Sequence, residues 1–457
     1  MFRPCESDRS KADNITESHK ADSQVQNSPI DSEKGKQLAW INSILPYSIA
    51  LGPVATLVQL FILNLHGTVV DVGIAVTIYN AVSIPAAIVW GFVTDRFNRR
   101  RLIIIVSYLM TAGGLLSFLF ARTVYSVSFL YALFSFVTSA STTPLNLLIM
   151  ETERKQKWAS AFARFSMVAS IGQTVGLLFG MVWSSFLSLT YIVVALSILS
   201  IASAGLSVLM IKEPSIIFER QMIAMTKSSF FERLKTIPYL FFRIPRLTDF
   251  RRVFRALKYD LTRQVPILYF SIFAFYLGSG IFNTSVVPSL QANHISSLLI
   301  FFVTTIGMLI QTVSFRYAGP YTEKKSPVKA AVWGLVLRSI SYGLLGVSVY
   351  LVSEKFFLAP FLIFYPLAAG LAYSIYYTAS NTLVFDTLGD RSQGSSLGVY
   401  SALVGIATMA GSLISGFTSF YLGFYSTFII AAICLAVSAW LIAMSVHTRP
   451  ISEATAT

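Results

Sequence analysis

Gly91-Phe-Val-Thr-Asp95-Arg96-Phe-Asn-Arg99-Arg100-Arg101 packs one acid and four arginines into a short connection between two long apolar segments. A weaker copy follows at Gly319-Pro-Tyr-Thr322-Glu323-Lys324-Lys325-Ser-Pro-Val-Lys329. Glycine, threonine, acid and base stand at the same relative positions in both, so the chain reads as two related halves with one charged loop in each.

Composition names the solvent around these loops. Of 457 residues 54% are hydrophobic and only 12% charged, the balance of a chain that faces lipid. A spanning helix needs ~20 mostly apolar residues, and twelve such windows follow the polar start, from residues 40–64 to residues 424–446. They are continuously apolar, without the alternation of spanning strands, so the predicted fold is an all-α polytopic membrane protein. Bases concentrate in every second connection: 96–101, 154–157, 212–263, 324–329 and Arg391, against only Arg122 and Lys355 in the intervening ones. Loops rich in Lys and Arg stay cytoplasmic. The alternation therefore predicts a multi-pass protein of the cell membrane with both termini inside, and it accounts for most of the net charge of +14. Bases so placed meet anionic lipids, and no nucleic-acid partner is called for.

The order of segments predicts a disordered cytoplasmic tail (1–37), a six-helix bundle (38–211), a basic cytoplasmic linker (212–263), a second six-helix bundle (264–447) and a short cytoplasmic tail (448–457). The first tail is too poor in apolar surface to fold alone. No basic stretch leads into a short apolar core with a cleavage site, so the first span is expected to direct insertion itself. In the linker, Phe230-Phe-Glu-Arg-Leu-Lys and Phe250-Arg-Arg-Val-Phe-Arg set bases among large apolar residues at helical spacing, which predicts short interfacial helices broken near Pro238 and Pro245. Cys5 and Cys434 fall on separate elements, and no Cys/His cluster offers a metal site. Neither metal nor cofactor is expected.

The repeat recurs at a second place. Asn146, Glu151, Thr152, Ser160, Ser166 and Gly176 match Asn381, Asp386, Thr387, Ser395, Ser401 and Gly411 at a constant offset without a gap. Two six-helix halves related about an axis along the membrane normal place a central site at their interface, near mid-membrane. With these features the chain resembles the major facilitator superfamily over essentially everything after residue 38. Gly91 to Arg101 occupies the place of the signature Gly-x-x-x-Asp-Arg/Lys-x-Gly-Arg/Lys-Arg/Lys, which that family carries between its second and third helices. Asn98 stands where the family has Gly, and Asn also tolerates positive backbone angles.

The resemblance implies alternating access, in which the two bundles rock about the central site. It also implies that the loop acids close the cytoplasmic side, with Asp95 near Ser395 to Gly398, Glu323 near the start of the fifth span, and Glu151 and Asp386 paired with arginines. A carboxylate at a helix N-terminus gains ~0.3 to 1 kcal/mol when exposed and up to ~2 when partly buried. The expected gating set is Gly91, Asp95, Arg96, Arg99, Arg100, Glu151, Arg164, Gly319, Glu323, Lys324, Asp386 and Arg391. Topogenic charge explains the bases alone, whereas an acid does nothing to retain a loop inside.

No carboxylate falls at mid-membrane, although a coupling proton or ion remains open. Gly172-Gln-Thr-Val-Gly176-Leu-Leu-Phe-Gly180 resembles the glycine-rich motif of drug antiporters, but Leu177 stands in place of the expected Pro. Small residues at four-residue spacing are then read as close helix packing. Arg338, deep in the ninth span, has two readings: contact with an anionic solute, or snorkelling and pairing at the cytoplasmic surface. The second is favoured because that helix is peripheral in the family. Family architecture brings Gln59, Tyr79, Asn80, Gln173, Tyr276, Gln311, Tyr373, Tyr376 and Tyr377 toward the cavity, polar and aromatic groups suited to a small organic solute. Tyr373, Tyr376 and Tyr377 form the best local cluster. The expected function is a monomeric secondary transporter, and the alternative is a non-transporting sensor of the same fold. An enzyme would need a nucleophile, metal or paired acids at depth, and the spans hold none.

Overall fold

The computed structural model describes residues 39–97, 99–152, 158–211, 264–351, 356–388 and 393–447. The two tails, the linker with its expected interfacial helices, and Arg391 lie outside the described residues. Among the described residues twelve helices are long and apolar enough to cross a membrane, and no strand occurs. The first half holds α1 (Trp40–Asn64), α2 (Val69–Arg96), α3 (Arg100–Ser117), α4 (Val124–Thr152), α5 (Trp158–Phe186) and α6 (Leu189–Met210). The second holds α7 (Gln264–Ala292), α8 (Ser297–Lys325), α9 (Pro327–Leu351), α10, α11 (Gln393–Tyr421) and α12 (Gly423–His447). α10 runs from Leu358–Tyr365 through a π-helical stretch, Pro366–Ala372, into Tyr373–Leu388.

Local chemistry sets several of these elements. Thr68 and Asp71 cap the start of α2 reciprocally, which gives the one acid near that helix end a structural task. α1 is broken between Leu51 and Val54, where Pro53 supplies no N–H to the ladder.

Lipid is as apolar as a leucine side chain, so helices in it associate through close backbone approach and hydroxyl bonds. Both devices appear twice here. One spacing relates Ser43, Ile49, Gly52 and Gly91 to Ser271, Leu277, Gly280 and Gly319. The spacing that carries Asn146 to Asn381 also relates Gln173, Gly176 and Ser203 to Thr408, Gly411 and Ser438. On the α1–α5 seam Gly176 lies against the Ile49 carbonyl and Gly52 against Gln173; on the α7–α11 seam Gly411 lies against the Leu277 carbonyl and Gly280 against Thr408. A side chain at any of these four glycines would meet backbone. On the α1–α6 seam the Ser203 hydroxyl donates to the Ser43 carbonyl. On α7–α12 Ser271 and Ser438 donate to each other's carbonyls at 2.9 and 2.8 Å.

The bundles meet through α2 with α11 and α5 with α8. Gly73 and Gly416 bring their backbones into contact, Gly180 lies on the Phe301 ring, and Ile84 covers Gly405. Thr77 and Asn80 of α2 reach the Met409 carbonyl (3.5 Å) and the Ser412 hydroxyl (3.4 Å) of α11. The Thr174 and Thr312 hydroxyls meet at 3.2 Å between α5 and α8. These contacts run from the face opposite the basic loops to about the middle of the helices. Toward the basic face, the signature glycines Gly91 and Gly319 have no atom of the described residues within 4 Å of where a Cβ would stand.

Candidate functional site

The predicted polar and aromatic residues take separate parts in the packing. Asn80 is used in the clasp to Ser412. Tyr79 is half-buried and stacks on Tyr131 at 4.3 Å between ring centroids, within its own bundle. Gln59 is buried, and its Oε1 has no hydrogen-bond partner among the described residues. An unmet acceptor at this depth is costly. Gln173 and Gln311 contribute backbone: the first packs on Gly52, and the second accepts a hydrogen bond from the Ser374 hydroxyl at 3.1 Å. Tyr276 is half-buried and lies edge-on to Phe275 at 5.0 Å.

The expected tyrosine cluster divides. Tyr373 and Tyr377 stack on each other at 5.6 Å and approach Phe315 of α8 edge-on. Tyr376 points into the bundle core, its ring tilted against Phe275 at 3.9 Å and packed on Gly334. Tyr376 stands ~100° round the helix from Tyr377 but only ~60° from Tyr373, so the rings fan out and Phe275 touches both Tyr373 and Tyr376.

Arg338 does not snorkel. It is 2% exposed, on the inward face of α9 in one stripe with Gly334 and Tyr342. Its Cζ lies 4.9, 5.3 and 5.2 Å from the ring centroids of Phe275, Tyr342 and Tyr373. Its Nε donates to the Tyr342 hydroxyl at 2.8 Å, and Nη1 has no partner among the described residues. The stripe faces α7 and α10, so a path to the surface along α9 would have to cross the tight contact of Gly334 with Ala372 and Tyr376. The spacing of Arg338 and Tyr342 was a visible signal for this pair.

For the gating set, Arg99, Arg164 and Lys324 are exposed and Arg100 is half-buried. Asp95 and Arg96 belong to α2, Glu151 to α4, Glu323 to α8 and Asp386 to α10, but their side chains lie outside the described residues, as does Arg391. The glycine run Gly172, Gly176 and Gly180 is a packing stripe: the first two lie on α1 and the third on Phe301 of α8. Sequence reasoning missed Thr77, Thr174, Thr312 and Ser412. Hydroxyl residues in helices ordinarily bond their own i−4 carbonyl, as Thr174 and Thr312 do at 2.9 and 2.8 Å, so nothing local marks the ones that also bridge helices.

The sequence matches the model of the Major Facilitator Superfamily over residues 33–253 and 268–456. Among solved structures it is similar to a bacterial homologue of the human lysosomal transporter Spinster, inward-facing and unoccupied, at 14% identity and TM-score 0.67, covering 92% of this chain and 98% of that one. It is also similar to the nucleoside transporter NupG, at 12% identity and TM-score 0.64, covering 90% and 99%. The xylose transporter XylE from E. coli, partially occluded and inward-open, aligns at 14% identity and TM-score 0.63 over 91% and 99%. A comparison with curated proteins returned no match. Two halves of six helices, joined by repeated glycine and serine seams and matched by the family model in two segments, place the chain in one group: it belongs to the Major Facilitator Superfamily.

Proposed function

We propose that the chain is a secondary transporter that carries a small organic solute by alternating access, and that the conformation described is the one open to the cytoplasm. The observation that carries this reading is where the described contacts between the bundles lie. They touch from the face opposite the basic loops to mid-depth, through Gly73 with Gly416 and Asn80 with Ser412. On the basic side Gly91 and Gly319, related by the repeat, have no described atom within 4 Å of a Cβ. Glycine costs conformational freedom in a helix, so two paired glycines without a packing role here fit a second state in which those halves come together. The basic loops mark the cytoplasmic face by their charge. NupG, XylE and the Spinster homologue are transporters, which favours carriage over a sensor role.

The test joins flux to a reversible lock. Cys5 and Cys434 are replaced by serine, Asn80→Cys and Ser412→Cys are introduced, and the chain is reconstituted into liposomes and screened for uptake of sugars, nucleosides, peptides and organic acids. Uptake above empty liposomes is expected, stopping on oxidation and returning on reduction. A fully cross-linked protein that still carries solute would refute alternating access, and no uptake of any solute would favour the sensor.

A further inference from the structure

Arg338 is matched in the other half by a neutral residue. In α3 the Ser107 hydroxyl faces the Val137 carbonyl of α4 at 3.4 Å, and in α9 Gly334 faces the Ala372 carbonyl of α10. Val137 relates to Ala372 by the spacing that carries Asn146 to Asn381, which aligns the two helix pairs. One helical turn on from Ser107 and Gly334 stand Thr111 and Arg338. Thr111 is satisfied, donating to the Ser107 carbonyl at 2.8 Å. The fold therefore closes around a small neutral residue at this place, and packing does not require a cation there.

Nothing described in the chain neutralises it. From Tyr373, beside Arg338, α10 rises ~19 Å to Asp386, and from Gln311, beside Ser374, α8 rises ~18 Å to Glu323, both out of reach of an arginine side chain. The three rings around Cζ attract the cation but accept no hydrogen bond in the guanidinium plane. Nε is used by Tyr342, whereas Nη1 is buried and unpartnered. A guanidinium in this condition matches the paired oxygens of a carboxylate.

We propose that Arg338 receives the carboxylate of an aromatic monocarboxylate, and that this is the class of solute carried; the proposal rests on the carrier reading above. One cation at this depth selects one negative charge. Tyr373, Tyr377 and Phe315, each half-buried, supply ring faces for the aromatic body of the solute. Tyr373 stands between Arg338 and Tyr377 and follows directly on the π-helical stretch Pro366–Ala372. A one-residue change of register in that stretch turns the next side chain by ~100°, which swings Tyr373 aside and admits the carboxylate.

The purified full chain is titrated with benzoate, phenylacetate and cinnamate, each beside its neutral amide at constant chloride, and Tm is followed. At least one acid is expected to raise Tm where its amide does not. Arg338→Gln is expected to weaken that response about tenfold or more, with an unliganded Tm no lower than wild type because a buried unpaired charge is gone. No response to any of the three acids, equal responses to acid and amide, or an unchanged response in Arg338→Gln overturns the site. If Arg338→Gln does not fold, Tyr373→Ala carries the test, since it keeps the cation and removes a wall: acid affinity should shift by roughly threefold or more, and an unchanged affinity overturns it. Uptake of a neutral solute alike by wild type and Arg338→Gln would sink this site while leaving the carrier reading in place.

Discussion

Two valine substitutions should push the conformational equilibrium in opposite directions. At Gly73 a Cβ would stand 2.7 Å from the Gly416 Cα and 3.0 Å from both the Gly416 nitrogen and the Ser412 carbonyl oxygen, all of them backbone. Ordinary contact between carbon atoms is ~3.5 to 4.0 Å, so α2 and α11 must part by roughly 1 Å. Overpacking of this kind costs ~1 to 3 kcal/mol. At ~1.4 kcal/mol per tenfold, Gly73→Val disfavours the described state by roughly 5- to 150-fold. At Gly91 no atom of the described residues lies within 4 Å, so Gly91→Val is expected to leave the described state alone and to burden the state in which the basic halves meet. The assay uses protein with Cys5 and Cys434 replaced by serine and a reporter Thr77→Cys, labelled by a membrane-impermeant maleimide from the face opposite the basic loops. Gly73→Val is expected to speed labelling within that range, and Gly91→Val to slow it. The reasoning fails if both variants move labelling in the same direction. It fails equally if neither moves it while Gly73→Val melts at the wild-type temperature.

The repeated seams make further claims. Gly176→Leu and Gly411→Leu force a side chain into the backbone of α1 and α7 respectively, and each is expected to lower Tm in detergent by an amount equivalent to ~1 to 3 kcal/mol. Ser203→Ala and Ser438→Ala each remove one hydroxyl bond between helices, and ~0.6 kcal/mol apiece is expected, read as a Tm shift several times smaller than for the glycine variants. For Asp95→Asn, uptake by proteoliposomes should fall while membrane insertion persists, because the carboxylate is expected to help close the basic side. Normal flux in that variant would remove Asp95 from the gate.

The topology was legible because membrane insertion is a local test. Each span must satisfy its own backbone in a medium that offers no hydrogen bonds, so a run such as 189–210 declares itself a helix without reference to its neighbours, and the structure has α6 over Leu189–Met210. Repetition was legible for a similar reason: Gly91 with Gly319 and Asn146 with Asn381 are matches of residue type at matched spacing. The glycine run of α5 was readable as packing because only small residues admit a second backbone. Depth and direction were not legible. Arg338 was expected at the surface, yet it turns inward among rings contributed by α7 and α10, helices distant in the chain. The three tyrosines of α10 looked like one cluster in the sequence, and the helix fans them out, with Tyr376 buried against Phe275 while Tyr373 and Tyr377 stack on each other.

By itself, then, the sequence determined how many helices cross the membrane, which loops carry the charge, and that the halves repeat. Those properties follow from residue-by-residue transfer between water and lipid, which neighbouring helices alter little. Only the tertiary structure decided which helices meet, where the described contacts between the bundles lie, and that the Arg338 guanidinium, with Nη1 unpartnered among the described residues, lies beside Tyr373. Contacts of that kind depend on the approach of backbones from distant parts of the chain, and no local pattern of residues encodes the distance between them.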